Sequence, residues 1–401
     1  MKTIDFSNAF VQGRSLDRLV LMKPPADVRR QKPGIIWKLR KCLYGLKDAS
    51  RRWHLRLDEE IKKTGAKASH LDKSLYFLRD DQGVIQGFAL VHVDDVLYGG
   101  TQYFEDTVIK HLKTTFTVGK VEESSFCFTG WDITQDEDGI TMSQRRYQDQ
   151  LDVDKFTPLA EAGDNKELLS DVNQDLFRQG LGQLQWLSHN SMPQKAFNSC
   201  QLATKVGQAT RLDGKKLFRA LTKAKDNKVE IMFSNLGPMK DWQIQVFTDA
   251  SQGDPTKKPT FVADVTTVSG RGRTNVLDWQ TRKNPIPCIS SLAAESEAAL
   301  NGKSKIDIVR YLLTEVSGIE FFKAELITDN RSLADAVKSS GVPTDKRSVV
   351  AVATLRKMID EEDARLTWCE SKKNIADILT KEGVDPENIQ NLLQKGILPK
   401  F

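Results

Sequence analysis

Residues 88–98 read FALVHVDDVLY. Apolar residues on either side of Asp94 and Asp95 are the pattern of two strands around a tight turn, and Gly99-Gly100 ends the unit. Adjacent carboxylates at such a tip repel each other. A divalent cation offsets that repulsion, and hard oxygen ligands suit Mg²⁺. The alternative is a plain Asp-Asp turn, because aspartate favours turns in any case. Working outward, Ser74–Leu78 reads as another strand, followed by the turn Asp80–Gly83. Arg51–Lys63 carries Trp53, Leu55, Leu57 and Ile61 at helical spacing. Asp5 ends a further short strand-like piece, with Phe10 five residues on.

Composition bounds what surrounds this unit. The chain has 401 residues, 39% hydrophobic and 28% charged, which is globular composition with room for two or three domains. No apolar run approaches the ~18 residues of a membrane span, and MKTIDFSNAF lacks an apolar signal core. Five widely spaced cysteines argue against a disulfide framework or a zinc site. No phosphate-binding loop of the G-x-x-x-x-G-K-[ST] type is present, which excludes that ATPase class. Residues 1–80 hold 19 Lys/Arg against 9 Asp/Glu, whereas the remainder is net acidic. A polyanion meeting the basic block and a merely solvated basic face are both open readings.

Three segments follow from texture: 1–120, 121–240 and 241–401. The middle one reads as mostly helical, with apolar residues at three- and four-residue steps in 177–187 and 196–206. The last begins with Trp242–Asp249, which alternates like an edge strand, and continues with strands at 260–268 and 274–279. A long helix over 290–313, a strand over 324–328, helices over 330–338 and 345–361, a short strand over 366–369 and a helix near Asn374 complete it. This is a mixed α/β layer pattern. Four acids occupy telling places: Asp249 (VFTD) and Asp329 (LITD) at strand ends, Glu295 in the long helix (AAE), and Asp377 in NIADILTK. Such carboxylates can converge on one point, and converging carboxylates need cations. Glu295 is preferred over Glu297, which falls on a different helix face.

These strings resemble copia-type LTR-retrotransposon Pol polyproteins. DFSNAFVQG at 5–13 looks like the family's first palm motif. KCLYGLKDASRRW at 41–53 is similar to its LYGLKQAPRxW motif, VHVDD at 91–95 to its YVDD box with His92 in place of Tyr, and GQLQWLS at 182–188 to its connection segment. The four later acids resemble the ribonuclease H domain that follows the polymerase in that family. The resemblance implies an α+β, multidomain fold. Its parts are a polymerase palm-like αβ sheet lacking the upstream fingers (1–120), a helical thumb or connection (121–240) and a ribonuclease H-like mixed five-stranded sheet with helices (241–401).

It also implies two activities. RNA-directed DNA polymerisation would use Asp5, Asp94 and Asp95, impaired without fingers. Mg²⁺-dependent cleavage of RNA in RNA–DNA hybrids would use Asp249, Glu295, Asp329 and Asp377. Each cluster would take two Mg²⁺, with Mn²⁺ as a substitute; the direct ligands would be Asp5 and Asp94 in the first cluster and all four acids in the second. Phe10, Gly45, Lys47 and Arg51 would contact nucleotide or template; a core phenylalanine and an ordinary turn glycine are the alternatives for Phe10 and Gly45. RNA template, DNA primer, hybrid and dNTPs are the implied partners, with a second polypeptide as a further source of fingers and no membrane. The implied location is a cytoplasmic particle or the nucleus. The competing reading is a degenerate or repurposed copy that binds nucleic acid without catalysis.

Overall fold

The computed structural model describes residues 1–251, 253, 259–285, 288, 290–320, 322–343, 345–346, 348–361 and 364–399. It divides into two units, one of residues 1–129 with 315–318, the other of 130–314 with 319–401. No helix among the described residues is long and apolar enough to cross a membrane.

The first unit is built on a six-stranded antiparallel sheet. Its order is Lys67–Ala68, Leu75–Arg79, Ile85–His92, Asp95–Gly100, Lys2–Phe6, Val118–Glu123. The helix Ala49–Lys63 buries Trp53, Leu57 and Ile61, one turn apart, against this sheet. Phe104, Val108, Ile109 and Leu112 from the helical stretch 102–115 fill the same core. Glu60 is buried on the first helix without being orphaned, because Arg56 and Lys63 each lie 2.8 Å from its carboxylate and His111 lies 2.9 Å away.

The start of the middle segment departs from its helical reading. Strands occupy Val118–Glu123, Ser125–Phe128, Trp131–Gln135 and Gly139–Ser143. The reason is local turn chemistry. The Asp136 side chain accepts hydrogen bonds from the backbone N–H of Asp138 (3.0 Å) and Gly139 (3.1 Å), closing a tight hairpin. Helices Asp171–Asn190, Ala196–Ala203 and Arg211–Asp226 then follow as expected. The last is fixed at its start by a reciprocal cap between Thr210 and Asp213.

The five-stranded sheet of the second unit runs in the order Arg273–Lys283, Phe261–Gly270, Gln243–Ser251, Lys323–Thr328, Arg365–Trp368. Its first three strands are antiparallel and its last three parallel. The Gln243–Ser251 strand is therefore central, not the edge strand its alternation predicts. Its polar positions are buried but satisfied: Gln245 bonds to Glu325 and accepts from Ser269, and the Thr248 hydroxyl donates to the Ile327 carbonyl. Phe247, Val265 and Ile327 pack with the middle helices, whereas Val246, Val268 and Leu326 pack beneath the long helix Ser291–Ser317. A continuous helix is also absent near Asn374, where short 3₁₀ turns at Ser371–Lys373 and Asp377–Leu379 stand instead.

Gly302 sets how closely the long helix sits. A Cβ there would lie 2.6 Å from both Leu326 Cδ1 and Thr248 Cγ2, beneath the helix that carries Glu295. Gly302→Val is expected to destabilise the protein by about 1–3 kcal/mol through overpacking. The urea midpoint should fall at unchanged slope; an unchanged midpoint contradicts the close packing.

Candidate active sites: two carboxylate clusters

Register brings the first cluster to one end of two interior strands of the sheet. In the antiparallel pairing of Lys2–Phe6 with Asp95–Gly100, Asp5 lies opposite Asp95, and the Phe6 N–H donates to the Asp94 carbonyl at 3.0 Å. The turn is held by Val93 in the left-handed region (φ 56°), an unfavourable place for a β-branched residue. The Trp53 indole N–H donates to the Val93 carbonyl at 2.5 Å and anchors that turn. Trp53 also packs edge-on against Phe6 (5.6 Å) and Phe116 (5.0 Å), so an aromatic cluster buries the residue that follows Asp5 in its strand. Burial, and then the charge of Asp94, push the Asp5 carboxyl above its ordinary value. Asp95 is pushed up by burial, then Asp94, then Asp5.

Of the other N-terminal candidates, Phe10 sits on the short helix Ala9–Gln12 with its ring 4.6 Å from Tyr44. Gly45 adopts φ +92°, with open space where a Cβ would be, and Lys47 and Arg51 are exposed. The adjacent Arg52 is a structural tie instead, bonding Asp48 at 2.9 Å and the Ser15 carbonyl at 2.6 Å. Sequence reading missed Gly119. A Cβ there would lie 2.3 Å from Asp5 Oδ2 and 2.7 Å from Ser7 Oγ, so the Asp5 carboxylate occupies the space glycine leaves.

The second cluster is tighter. VFTD and LITD run parallel and in register, with Phe247 opposite Ile327 and Thr248 opposite Thr328, so Asp249 and Asp329 follow at equivalent positions. Glu295 reaches them from the long helix, and one oxygen from each of Asp249, Glu295 and Asp329 lies within 4.8 Å of the others. Among the described residues no other acid, cysteine or histidine group of three is this close. Asp249 and Glu295 are buried, and Glu295 Oε2 has no hydrogen-bond partner. Burial, then neighbouring negative charge, raises the carboxyl of Glu295 well above its ordinary value. Burial dominates at Asp249 too, against the opposing pull of Lys381.

Asp377 stands outside that trio of oxygens. Its Oδ1 lies 2.7 Å from Lys381 Nζ, which is itself 3.4 Å from Asp249 Oδ1. The Thr380 hydroxyl donates to Asp249 Oδ2. Asn374 Nδ2 donates to both the Thr248 carbonyl (3.0 Å) and Asp329 Oδ1 (3.2 Å), orienting the Asp329 carboxylate. Asn374, Thr380 and Lys381 lie inside the NIADILTK string, yet their roles needed the fold to be seen.

Beside this cluster runs a groove of about 450 Å³ whose lining includes Lys195, Lys216, Arg219, Lys223 and Lys381. Lys216 faces Glu382 at 3.6 Å. Lys195 is half-buried, and burial followed by the like charge of Lys223 pushes its ammonium below its ordinary value.

Residues 1–162 match the family described as reverse transcriptase (RNA-dependent DNA polymerase). The chain is 35% identical over 152 residues to a retrovirus-related Pol polyprotein from transposon RE2 of Arabidopsis thaliana, covering 37% of this chain and 10% of that one. Against the Pol polyprotein from transposon TNT 1-94 of Nicotiana tabacum, identity is 23% over 421 residues, covering 97% of this chain and 30% of the relative. The chain thus spans about a tenth of the length of the RE2 relative. Among solved structures, the foamy viral protease-reverse transcriptase in complex with RNA/DNA hybrid is 12% identical with TM-score 0.48, covering 92% of this chain and 44% of that one.

Proposed function

We propose that this chain, a relative of the copia-type retrotransposon Pol polyproteins, cleaves the RNA strand of RNA–DNA hybrids at its C-terminal carboxylate centre and serves nucleotidyl transfer at its N-terminal one. The observation that carries the first part is the trio Asp249, Glu295 and Asp329. Three separate elements bring their oxygens within 4.8 Å, and one buried oxygen of Glu295 has no partner. Hard oxygen donors crowded in this way suit a divalent cation such as Mg²⁺. A cation held there supplies positive charge to the phosphodiester and to the attacking water. The protein's own part is positional. Asn374 fixes Asp329, and the Thr380 hydroxyl fixes one oxygen of Asp249. Gly302 permits the helix approach that delivers Glu295. In the N-terminal unit, Asp5, Asp94 and Asp95 would hold the same class of cation, with dNTP, RNA template and DNA primer as substrates.

The basic groove beside the C-terminal centre suits a sugar–phosphate backbone. The half-buried Lys195 is repelled by the exposed Lys223 nearby, and a phosphate would relieve that repulsion. Replacing both by Gln is expected to weaken hybrid binding and to reduce the slope of log affinity against log salt by roughly one for each phosphate no longer neutralised. An unchanged slope removes the groove from the binding surface.

A copy that holds hybrid without cutting is the second reading. The ion pairs of Lys381 to Asp249 and Asp377 favour it, because they neutralise carboxylate charge with no metal. Incubating the whole chain with an end-labelled hybrid, with Mg²⁺ or with EDTA, separates the two. Mg²⁺-dependent RNA fragments support the nuclease, and retention of intact hybrid supports the binder.

A further inference from the structure

We propose that the Lys381 ammonium occupies the place of a second divalent cation, so that the C-terminal centre takes a single divalent ion among Asp249, Glu295 and Asp329. The inference rests on the reading of this centre as a cation site.

The four acids do not form one symmetrical cup. Three present oxygens to one another within 4.8 Å, and Asp377 lies outside that trio, with Lys381 Nζ 2.7 Å from its Oδ1 and 3.4 Å from Asp249 Oδ1. The turn sequence dictates that placement. The backbone N–H groups of Thr380 and Lys381 both bond to the Asp377 carbonyl at 3.1 Å, folding the chain back so that the Lys381 side chain returns over Asp377. Asp249 then divides its oxygens, with Oδ2 accepting from the Thr380 hydroxyl and Oδ1 facing the ammonium. A divalent ion bridging Asp249 and Asp377 would have to share the space and the carboxylate oxygen that Nζ uses. At a few ångströms, repulsion between an ammonium and a divalent cation opposes joint occupancy.

The other two members of the trio have no such ion pair. Among the described residues, neither Glu295 nor Asp329 makes an ion pair with Lys or Arg, and Glu295 Oε2 is unpartnered. The ammonium therefore pairs directly with Asp249 and Asp377, and Glu295 and Asp329 are left without a direct ion pair of their own. The alternative is that Lys381 swings away into the adjoining groove, which its partly exposed side chain also lines. Two ions would then bind, one on each side of Asp249.

Counting bound ions decides between these outcomes. Mn²⁺ is titrated into the whole chain and followed by electron paramagnetic resonance, in a background of Asp5→Asn with Asp94→Asn that silences the N-terminal cluster. One tightly bound ion per chain is expected. Lys381→Gln and Lys381→Met should each bind two, and Lys381→Arg should stay at one; thermal melts confirm that each variant is folded. Two ions in the Lys381 parent, or a single ion in both folded neutral variants, overturns the inference while leaving the cation site standing. No ion bound in the parent, or an ion unaffected by Asp249→Asn, overturns the underlying reading and the inference together.

Discussion

Asp249→Asn should slow cleavage of the RNA strand of a hybrid by about a thousandfold or more, because several kcal/mol of charge stabilisation is lost at about 1.4 kcal/mol per tenfold in rate. Asp249 is the carboxylate on which the whole centre turns. It lies near the end of the central strand of the sheet, belongs to the cation-binding trio, and faces Thr380 and Lys381 with its two oxygens. Asparagine keeps the shape and removes the charge, so the groove lined by Lys195, Arg219 and Lys223 is left intact. Hybrid affinity should therefore change little while the single-turnover rate collapses. A rate within tenfold of the parent, measured under saturating enzyme, contradicts the assignment.

The second large effect concerns stability without metal. Asp249 is pushed up to about 7 from an ordinary 3.8, and Glu295 to about 9 from 4.5, each chiefly by burial. Folded-state values above the unfolded ones mean that the native protein holds protons which the unfolded chain has already released. Stability from these groups is then fully present below about pH 4 and is lost as pH rises toward 9. Metal-free protein should melt at progressively lower temperature between pH 5 and 9, on the order of several degrees in total. Glu295→Gln should flatten that slope and raise the metal-free melting temperature at pH 8. Mg²⁺ should stabilise the parent and not the variant, since only the parent retains the full trio of carboxylates. A metal-free melting temperature that climbs with pH over this window would show that the carboxylates are not crowded as described.

The features visible in the sequence are those that local pattern controls. VFTD and LITD each end in an aspartate after an apolar run, and parallel pairing in register aligned them. The apolar flanks of Asp94 and Asp95 specify the hairpin, and pairing of the Lys2–Phe6 strand brought Asp5 opposite Asp95. What escaped the sequence depends on long-range partners. Gln243 and Gln245 made the central strand look half-solvated, because the partner that satisfies both, Glu325, lies some eighty residues away. Residues 118–143 carry turn chemistry at Asp136 that helical periodicity overlooks. Gly302, Gly119 and Lys381 are unremarkable as letters; each matters through the atom of another element that approaches it.

Whether the C-terminal trio holds a divalent ion at all can be seen by anomalous scattering from crystals of the protein soaked in Mn²⁺. A manganese peak coordinated by carboxylate oxygens of Asp249, Glu295 and Asp329 is expected. A well-ordered trio with no peak between them, or manganese bound only elsewhere on the chain, contradicts that expectation.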